Sequence, residues 1–501
     1  MRVRASDGGP GPPAGGSSRR DHAVAGTLRG MSPSDALRAH RPMLWLVAVA
    51  VFMQMLDTTI VNTALPAMAR SLDQSPLRMQ AVVVAYALTV AMLIPASGWL
   101  ADRFGTRRVF FAAVVLFTAG SLACALSQSL QALAASRVLQ GVGGAMLLPV
   151  GRLAVLRSVP RQDFLAAMTF VTVPGLIGPL IGPSLGGWLV EAASWHWIFL
   201  INLPLGLLGA VAAMRWMPDL RVPVSRFDLA GYGLLAFGMV AVSLSVDALS
   251  DHVARKAAVL VLLVFGLAAL VAYWLHAARA PAPIFPPSLF RVRTFGIGVL
   301  GNLFARLGSG GMPYLIPLLL QVALGIPPAQ AGMMMIPVAV AGMFSKRIVV
   351  PLVRRYGYRR VLVVNTVLTG LAMASFALIG PGQPLWLHVI QFACFGAVNS
   401  LQFTAMNTLT LRDLDGEHAS AGNSLLSMVM MLSMSLGVAT AGGLLAAFGE
   451  DGGGAGAPVL SAFRWTFVCI GALTLSSAAI FAQLGRTRRI PDNVVKPADQ
   501  G

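Results

Sequence analysis

The chain has 501 residues, of which 56% are hydrophobic and 11% are charged, and its mean hydropathy is +0.74. So few polar residues cannot cover a water-soluble globule, which excludes a soluble fold. The net charge of +18 does not indicate a nucleic-acid partner, because the basic residues stand in short clusters between apolar runs and form no basic domain. The sequence predicts an all-α polytopic membrane protein.

Fourteen apolar segments are long enough to cross a membrane, since about twenty apolar residues span the roughly 30 Å hydrocarbon core. Residues 1–42, rich in Gly, Pro, Ser and Arg, predict a disordered tail, and residues 485–501 form a second tail. The predicted spans, numbered 1 to 14, cover residues 43–65, 79–101, 108–126, 131–156, 164–190, 196–217, 228–247, 256–277, 294–323, 329–352, 360–380, 384–410, 420–447 and 462–484.

Basic side chains are concentrated in every second connector between these spans. By the positive-inside rule those connectors face the cytosol, which places both termini there and agrees with an even number of spans. Arginine is used almost to the exclusion of lysine, which is typical of a GC-rich bacterial genome, so we expect the bacterial cytoplasmic (inner) membrane. The clusters contain Arg103, Arg107, Arg108, Arg157, Arg161, Arg215, Arg221, Arg226, Arg279, Arg291, Arg293, Arg354, Arg355, Arg359, Arg360, Arg412, Arg486, Arg488 and Arg489.

An internal repeat divides the chain into two related halves. The segment GWLADRFGTRRVFF from Gly98 matches VPLVRRYGYRRVLV from Val350, and each joins the second and third span of a six-span unit. This predicts two six-helix bundles at residues 43–217 and 294–484, with a two-helix insert and its flanking loops at residues 218–293. Two related bundles imply alternating access around a cavity at the middle of the membrane.

Span 1 carries Asp57, the one acid of nineteen that lies deep within a predicted span. Burial favours the neutral form of a carboxyl, so Asp57 is the natural proton carrier, and Gln54 one turn earlier is a candidate cavity residue. Arg137 in span 4 comes out at a similar depth, about 21 Å from the inner surface. Two alternatives stay open: Arg137 snorkels to the outer interface, or the two residues form a permanently ionised structural brace.

The connector after span 2 combines glycines with charges. Gly98 permits close helix approach, and Asp102 can form a charge network that breaks when the bundles rock apart. The alternative is plain positive-inside anchoring. In the second copy Arg354 replaces the acid, so the latch should be weaker there. The gating residues predicted in this connector are Gly98, Asp102, Arg103, Gly105, Arg107 and Arg108.

Span 5 contains GPLIGPSLGG, a run of glycines around a proline. Pro183 removes a backbone donor, and the flanking glycines predict a kinked, close-packed helix that can seal one end of the cavity. Ordinary helix packing is the alternative. The residues predicted to switch conformation here are Gly178, Gly182, Pro183, Gly186 and Gly187.

The second bundle contains polar side chains and adaptable methionines that could line a substrate cavity. Arg306 lies about 18 Å into span 9, near the bilayer midplane, and no acid lies deep in any span of this bundle. The remaining candidates share helix faces in spans 12 and 13, and methionine adapts to varied apolar ligands. These candidates are Asn399, Gln402, Met406, Asn423 and Ser427.

Several of these segments resemble the major facilitator superfamily. GWLADRFGTRR resembles its loop between spans two and three, with Thr106 as a departure, while RVLQGVGGA from Arg137 and GPLIGPSLGG resemble its span-four and antiporter span-five motifs. LDTTIVNTALP and SWHWIFLINLPLG resemble hallmarks of the fourteen-spanner drug:proton antiporters, with His196 where that family often has arginine. The resemblance covers residues 43–484 and implies the major facilitator fold and proton-driven multidrug export.

Absent motifs narrow the function further. No G-x-x-x-x-G-K-[ST] segment is present, which excludes an ATP-driven pump, and neither HExxH nor G-x-S-x-G occurs. The cysteines Cys124, Cys394 and Cys469 are too dispersed for a metal site. We therefore expect that the chain is not an enzyme and has no cofactor, metal or nucleic-acid partner. A channel is disfavoured as well, because a channel would not need two rocking halves.

Two substrate classes remain open for this transporter, which we expect to act as a monomer in the lipid bilayer. The resemblance favours an antiporter that exchanges protons for small amphipathic, mainly cationic molecules. A cavity that holds Arg306 without an acid would instead repel cations and favour organic anions, such as di- or tricarboxylates.

Overall fold

The computed structural model describes residues 33–160, 163–222, 226–248, 256–414, 416–450 and 457–485. Within these ranges the regular structure is helical throughout, as expected where a backbone in lipid must satisfy its own hydrogen bonds. The α-helices run over Pro33–Ser71, Gln80–Phe104, Thr106–Ala125, Leu130–Ser158, Phe164–Ala192, Trp197–Leu200, Asn202–Trp216, Leu229–Ala248, Lys256–Ala277, Arg293–Ser309, Met312–Leu318, Pro328–Met334, Ile336–Ser375, Leu385–Arg412, Gly416–Glu450, Ala457–Ser476 and Ala478–Ala482.

Within the described residues, thirteen helical segments are long and apolar enough to cross a membrane, and one of them is a double span. The segment Pro328–Leu378 has 51 residues, which at about 1.5 Å per residue is more than twice the hydrocarbon thickness. Gly357 breaks it with φ 75° and ψ 156°, a conformation outside the helical region. Counting the two halves separately gives spans 10 and 11, so the described segments contain the fourteen predicted spans.

The first helix begins earlier than the sequence predicts. It starts at Pro33 and runs without interruption into span 1, so residues 33–42 are helical and not part of a disordered tail. The remainder of that predicted tail, residues 1–32, lies outside the described residues. Of the second predicted tail, only residue 485 is described.

The loops lie at two ends of the helix array, which we name by their relation to the chain termini. The terminal side holds the start of span 1, the end of span 14 and the connector at Gly105. The distal side is the opposite end, where spans 9 and 10 are joined at residues 324–327.

The insert consists of spans 7 and 8, and through span 7 it packs against both halves of the molecule. Ser243 of span 7 lies 3.0 Å from Ser435 of span 13, measured between the two hydroxyl oxygens. On the other side Gln80 of span 2 donates to Oδ1 of Asp247 at 2.9 Å. Span 7 therefore contacts the pair of helices, spans 2 and 13, at which the two bundles meet.

Contacts between the bundles close the molecule on its distal side. Gln321, just before the loop at residues 324–327, donates to the backbone oxygen of Thr63 at 2.8 Å. The backbone nitrogen of Ala329 donates to Oε2 of Glu191 at 3.2 Å. The described conformation therefore has its distal entrance shut.

Candidate functional site

Asp57 and Arg137 form an ion pair in the interior of the first bundle. Nη1 of Arg137 lies 2.7 Å from Oδ2 of Asp57, and each residue is 1% exposed. Span 1 supplies the carboxylate and span 4 the guanidinium, so the pair connects two helices that are distant in sequence. In this conformation Arg137 does not snorkel to an interface, because its charged end is as deeply buried as its stem.

Two amides complete the polar cluster around the pair. Gln140 bridges both partners: its Nε2 donates to Oδ1 of Asp57 at 2.8 Å, and its Oε1 accepts from Nη1 of Arg137 at 2.6 Å. Asn202 of span 6 donates to the same Oδ1 at 3.3 Å. The carboxylate thus accepts hydrogen bonds from three side chains, which offset part of the cost of burying it.

Glycines in span 4 let neighbouring helices come close enough to enclose this cluster. A Cβ atom on Gly144 would lie 2.5 Å from Oη of Tyr86 in span 2, and one on Gly143 would collide with the backbone of Phe117 in span 3. The guanidinium carbon of Arg137 lies 4.2 Å from the centroid of the Tyr86 ring, a cation–π distance. Close packing therefore keeps the ion pair out of solvent in this conformation.

Arg306 is a second buried cation, and it lies in the second bundle without a carboxylate partner among the described residues. It is 5% exposed. Its Nε donates to Oδ1 of Asn302 at 3.1 Å, and its guanidinium carbon lies 3.1 Å from the centroid of the Phe403 ring. Its Nη2 is buried without a hydrogen-bond partner in the described part of the chain.

Span 9 is interrupted directly beyond Arg306. Its first helix ends at Ser309 and the next begins at Met312, so Arg306 lies in the last turn of a helix, where the carbonyl end of the helix dipole favours a cation. The dipole and the face of Phe403 offset part of the desolvation cost of the guanidinium. They leave one donor nitrogen available, so this position can receive an acceptor from an anionic ligand.

Two of the predicted cavity residues, Gln402 and Met406, are buried against neighbouring helices in this conformation, and their assignment to the cavity stays a prediction. Gln402 is 2% exposed; it accepts from Asn365 at 2.8 Å and donates to Thr366 at 2.6 Å, both in span 11. Met406 is 1% exposed and packs in an apolar cluster with Leu362. The spacing showed which side chains share a helix face, but not which neighbour that face meets.

The positions of the other predicted cavity residues do not decide whether their side chains line the cavity. Gln54 is 4% exposed and therefore buried in the first bundle. Asn399, Asn423 and Ser427 are half-buried. Asn399 lies one turn before Phe403 on span 12, so of these four residues it is the one placed on the same helix face as the Arg306 contact.

The connector after span 2 is held by an ion pair that differs from the predicted network. Oδ1 of Asp102 lies 2.6 Å from Nη1 of Arg157 at the end of span 4. Arg103 and Arg108, which we expected to join Asp102, are exposed and form no ion pair within the described ranges. In this conformation Asp102 pairs across the helix packing with span 4, while its neighbours in sequence point to solvent, and the gating role of the predicted members stays a prediction.

The chain that follows span 6 holds this connector from the other side. Nε of Arg107 donates to the backbone oxygen of Met217 at 2.5 Å, and the Thr106 hydroxyl donates to that of Pro218 at 2.5 Å. Thr106 is fully buried, and its backbone nitrogen donates to the oxygen of Leu220 at 3.1 Å. Thr106, which departs from the family pattern, is therefore a structural contact that sequence reasoning missed.

Three glycines of span 5 face span 1 at a spacing of four residues. A Cβ atom on Gly178 would lie 2.7 Å from the backbone nitrogen of Leu56, and one on Gly186 would lie 2.8 Å from the carbonyl oxygen of Ile60. Gly182, between them, faces Thr59 in the same way. These positions place span 5 against the helix that carries Asp57.

Gly187 and Pro183 lie on another face of span 5 and contact the start of span 10. A Cβ atom on Gly187 would collide with the carbonyl oxygen of Pro328, and one on Gly332 would collide with that of Pro183. Ser184 adds a hydrogen bond of 3.4 Å to the Gly332 carbonyl. This contact joins the two bundles on the distal side, so the GPLIGPSLGG segment serves both a packing face within one bundle and the closure between bundles.

Alanine substitutions distinguish a packed glycine from an unpacked one. Gly178→Ala should lower the free energy of unfolding by about 1–3 kcal/mol, because its methyl group meets backbone that cannot move alone. Gly98→Ala is the matched control: Gly98 is exposed, and no atom lies within 4 Å of the added carbon. The expectation that Gly98 serves close helix approach is wrong in this conformation. Thermal unfolding of the purified variants measures both effects, and equal stabilities would contradict the packing assignment.

Comparison with known proteins places the chain among transporters. The sequence profile of the Major Facilitator Superfamily matches residues 47–230 and 298–500. A protein of Serratia proteamaculans named "Putative multidrug resistance protein MdtD" is 52% identical over 442 residues, covering 88% of this chain and 93% of that protein. An Escherichia coli protein of the same name is 51% identical over 458 residues, covering 90% and 96%. The resemblance of the sequence motifs to those of MdtD-type proteins is thereby confirmed.

Solved transporters share the fold at low sequence identity. A POT family transporter in complex with 5-aminolevulinic acid superposes with a TM-score of 0.65 at 17% identity, over 88% of this chain and 95% of that one. The human organic anion transporter MFSD10 gives 0.59 at 13% identity, over 88% and 98%. The profile match and the close relatives extend over most of the residues described above, and the chain belongs to the major facilitator superfamily.

Proposed function

We propose that the chain is a proton-coupled antiporter of the multidrug-efflux type, which exports small amphipathic molecules by alternating access. The observation that carries this proposal is the buried Asp57–Arg137 pair between spans 1 and 4. The names of its close relatives, which are multidrug resistance proteins, support export as the direction. ATP is not required in this mechanism, and one chain forms the complete transporter.

A buried ion pair can couple proton binding to helix movement. Protonation of Asp57 removes the negative charge that holds Arg137, and the attraction between the two groups is strong only in the low dielectric of the closed bundle. Any conformation that separates the pair makes the carboxylate available to a proton. Linkage then requires that proton binding and separation favour each other, so a proton gradient can drive the conformational cycle.

The contact of Gly187 and Pro183 with span 10 is the proposed distal gate. It consists of backbone-to-backbone packing with few polar bonds, so it can open as a unit when the bundles rotate. On the terminal side the proposed latch is the pair Asp102–Arg157 with the connector residues around Gly105. Both elements lie near the ends of their helices, away from the buried pair that loads the proton.

The terminal side is assigned to the cytosol, and the membrane to the bacterial inner membrane. We expect green fluorescent protein fused after Gly501 to fluoresce and alkaline phosphatase at the same position to be inactive. The matched control is a phosphatase fusion after Gly382, in the distal loop between spans 11 and 12, which should be active. An active phosphatase after Gly501 would contradict the positive-inside argument.

Arg306 supports a second substrate class, the organic anions. A carboxylate ligand would bring the charge that the second bundle does not supply to this guanidinium, and it would receive a charge-assisted hydrogen bond from Nη2. A lipophilic cation would have to approach the same uncompensated positive charge. Di- or tricarboxylates are therefore the alternative substrates.

Transport measurements in proteoliposomes test the proposal and separate the two substrate classes. Under an imposed proton gradient, the wild-type protein should accumulate either a cationic dye or a tricarboxylate, and an uncoupler should abolish accumulation. Added ATP should have no effect. Flux that persists undiminished after the gradient is collapsed would indicate a channel, and absence of gradient-driven flux for both probes would overturn the proposal.

A further inference from the structure

A cavity of about 830 Å³ lies on the terminal side of the second bundle, away from Arg306 and from the Asp57–Arg137 pair. It is formed where spans 10, 11 and 12 meet, under the second copy of the repeated connector. Five arginines line it, four from the connector itself and Arg412 from the last turn of span 12. The four connector residues are Arg354, Arg355, Arg359 and Arg360.

The first copy of the connector shows what occupies the corresponding place in the other bundle. There the chain after span 6 packs against the connector, and the carboxylate of Asp219 lies directly against Gly105, whose φ is 94°. Gly357 is the equivalent glycine of the second copy and has φ 75°. It borders the cavity, so an open space in the second bundle corresponds to one filled by a chain segment and a carboxylate in the first.

The replacement of one acid leaves this space with excess positive charge. In the first bundle Asp102 neutralises Arg157 at the end of span 4. At the equivalent position of the second bundle stands Arg354, so the arginine that ends span 12, Arg412, has a second arginine in the cavity lining where the first bundle has a carboxylate. Its partner is its exposed neighbour Asp413, with Nε 3.3 Å from Oδ1. Within the described residues, one acid thus accompanies five arginines around the cavity.

The cavity is amphipathic along its length. Thr408 and Thr404 lie one and two turns from Arg412 on span 12, so the lining reaches about 12 Å from the basic end toward the interior of the membrane. Over that distance the facing walls are the valine side chains of spans 10 and 11. These are Val349, Val350, Val353, Val363 and Val364.

We propose that this cavity binds one anionic phospholipid, with the phosphate among the arginines and an acyl chain along the valines. Basic pockets between membrane helices bind anionic head groups because each arginine adds attraction and a planar pair of donors for phosphate oxygens. A soluble phosphate would satisfy the basic end but would leave the apolar length of the cavity unoccupied. The lipid would take the place that residues 217–222 take in the first bundle.

Native mass spectrometry of the delipidated full-length protein tests this proposal, with phosphatidylglycerol, phosphatidylcholine and glycerol 3-phosphate as probes. The test variant combines Arg354→Gln with Arg360→Gln. The matched control combines Arg279→Gln with Arg291→Gln, which removes two exposed arginines of the same side outside the cavity. A second test variant, Arg354→Asp, introduces the acid that the first bundle has at this position.

The wild type and the control should each retain one phosphatidylglycerol in preference to phosphatidylcholine. Both test variants should bind phosphatidylglycerol about tenfold or more weakly. Equal binding by test and control variants would overturn the proposal, as would equal binding of the zwitterionic lipid. Binding of glycerol 3-phosphate as tight as that of the lipid would assign the arginines to a soluble phosphate. Thermal unfolding with and without phosphatidylglycerol verifies that each variant is folded, and only the wild type and the control should be stabilised by the lipid.

Discussion

Asp57→Asn is expected to abolish gradient-driven export and also to destabilise the first bundle. The amide cannot carry the proton, so accumulation of substrate against its gradient should fall to the level of empty vesicles. The same change leaves Arg137 as a buried, uncompensated charge, and removal of one partner from a buried pair costs about 3–5 kcal/mol. Whichever way the new amide turns, its Nδ2 would also meet a native donor, either Nη1 of Arg137 or the amide nitrogens of Gln140 and Asn202.

Loss of transport in that single variant would therefore have two explanations, and a double variant separates them. Asp57→Asn combined with Arg137→Gln removes both charges and should recover much of the lost stability, because no unpaired ion remains in the interior. Export should still be absent. Substrate flux in proteoliposomes and thermal unfolding are measured on the same preparations.

A double variant that still concentrates substrate, and that still responds to an uncoupler, would contradict the coupling role. In that case the pair would be a structural brace between spans 1 and 4, and the proton would be carried elsewhere. The deep burial of both residues in the distally closed conformation is compatible with the brace as well as with a pair that opens during the cycle. Stability alone does not distinguish the two, whereas uncoupler sensitivity of the double variant does.

The architecture could be predicted from the sequence because membrane crossing imposes a length and a polarity on each helix. The windows of about twenty apolar residues located all the spans, and the repeated connector predicted the break that Gly357 makes between spans 10 and 11. Helix ends were less predictable, since a helix can continue past the hydrocarbon into the interface. The first helix accordingly starts at Pro33, ten residues before the predicted span.

The candidate site was predictable where a residue is costly to bury. Asp57, Arg137 and Arg306 could be found from the sequence because an ionisable group deep in a span is costly and therefore indicates a functional role. Gln140 and Asn202 were not found, although they lie in segments that resemble family motifs. Amides carry no charge and are common in helix packing, so nothing in a single sequence marks them as partners of a carboxylate.

Contacts between distant parts of the chain could not be derived from local spacing. Residues 217–222 hold the connector at Thr106, which is more than a hundred residues earlier, and they do so through their backbone groups, so the side chains of that segment give no signal of the contact. The stacking of Arg306 on Phe403 likewise joins spans 9 and 12. Only the three-dimensional arrangement of the helices shows which faces meet.

Arg306→Ala is expected to decide which substrates the second bundle accepts. If organic anions are exported, the substitution should reduce their gradient-driven flux about tenfold to a hundredfold, since a hydrogen bond to a charged group contributes roughly 1.5–3 kcal/mol. Arg306→Lys keeps the charge but loses the planar guanidinium with its paired N–H donors, so an intermediate flux is expected.

The matched control for this substitution is Arg347→Ala. Arg347 is exposed in span 10, and its guanidinium carbon lies 5.6 Å from the Phe344 ring centroid, so its loss removes the same charge without disturbing a buried site. The measurement is accumulation of a tricarboxylate and of a cationic dye by each variant under one imposed proton gradient. Dye export that is undiminished in Arg306→Ala, with no tricarboxylate export by the wild type, would eliminate the anion alternative. Tricarboxylate export that is lost in Arg306→Ala and retained in Arg347→Ala would assign the guanidinium at the break in span 9 to substrate binding, because the two variants differ only in which arginine is removed.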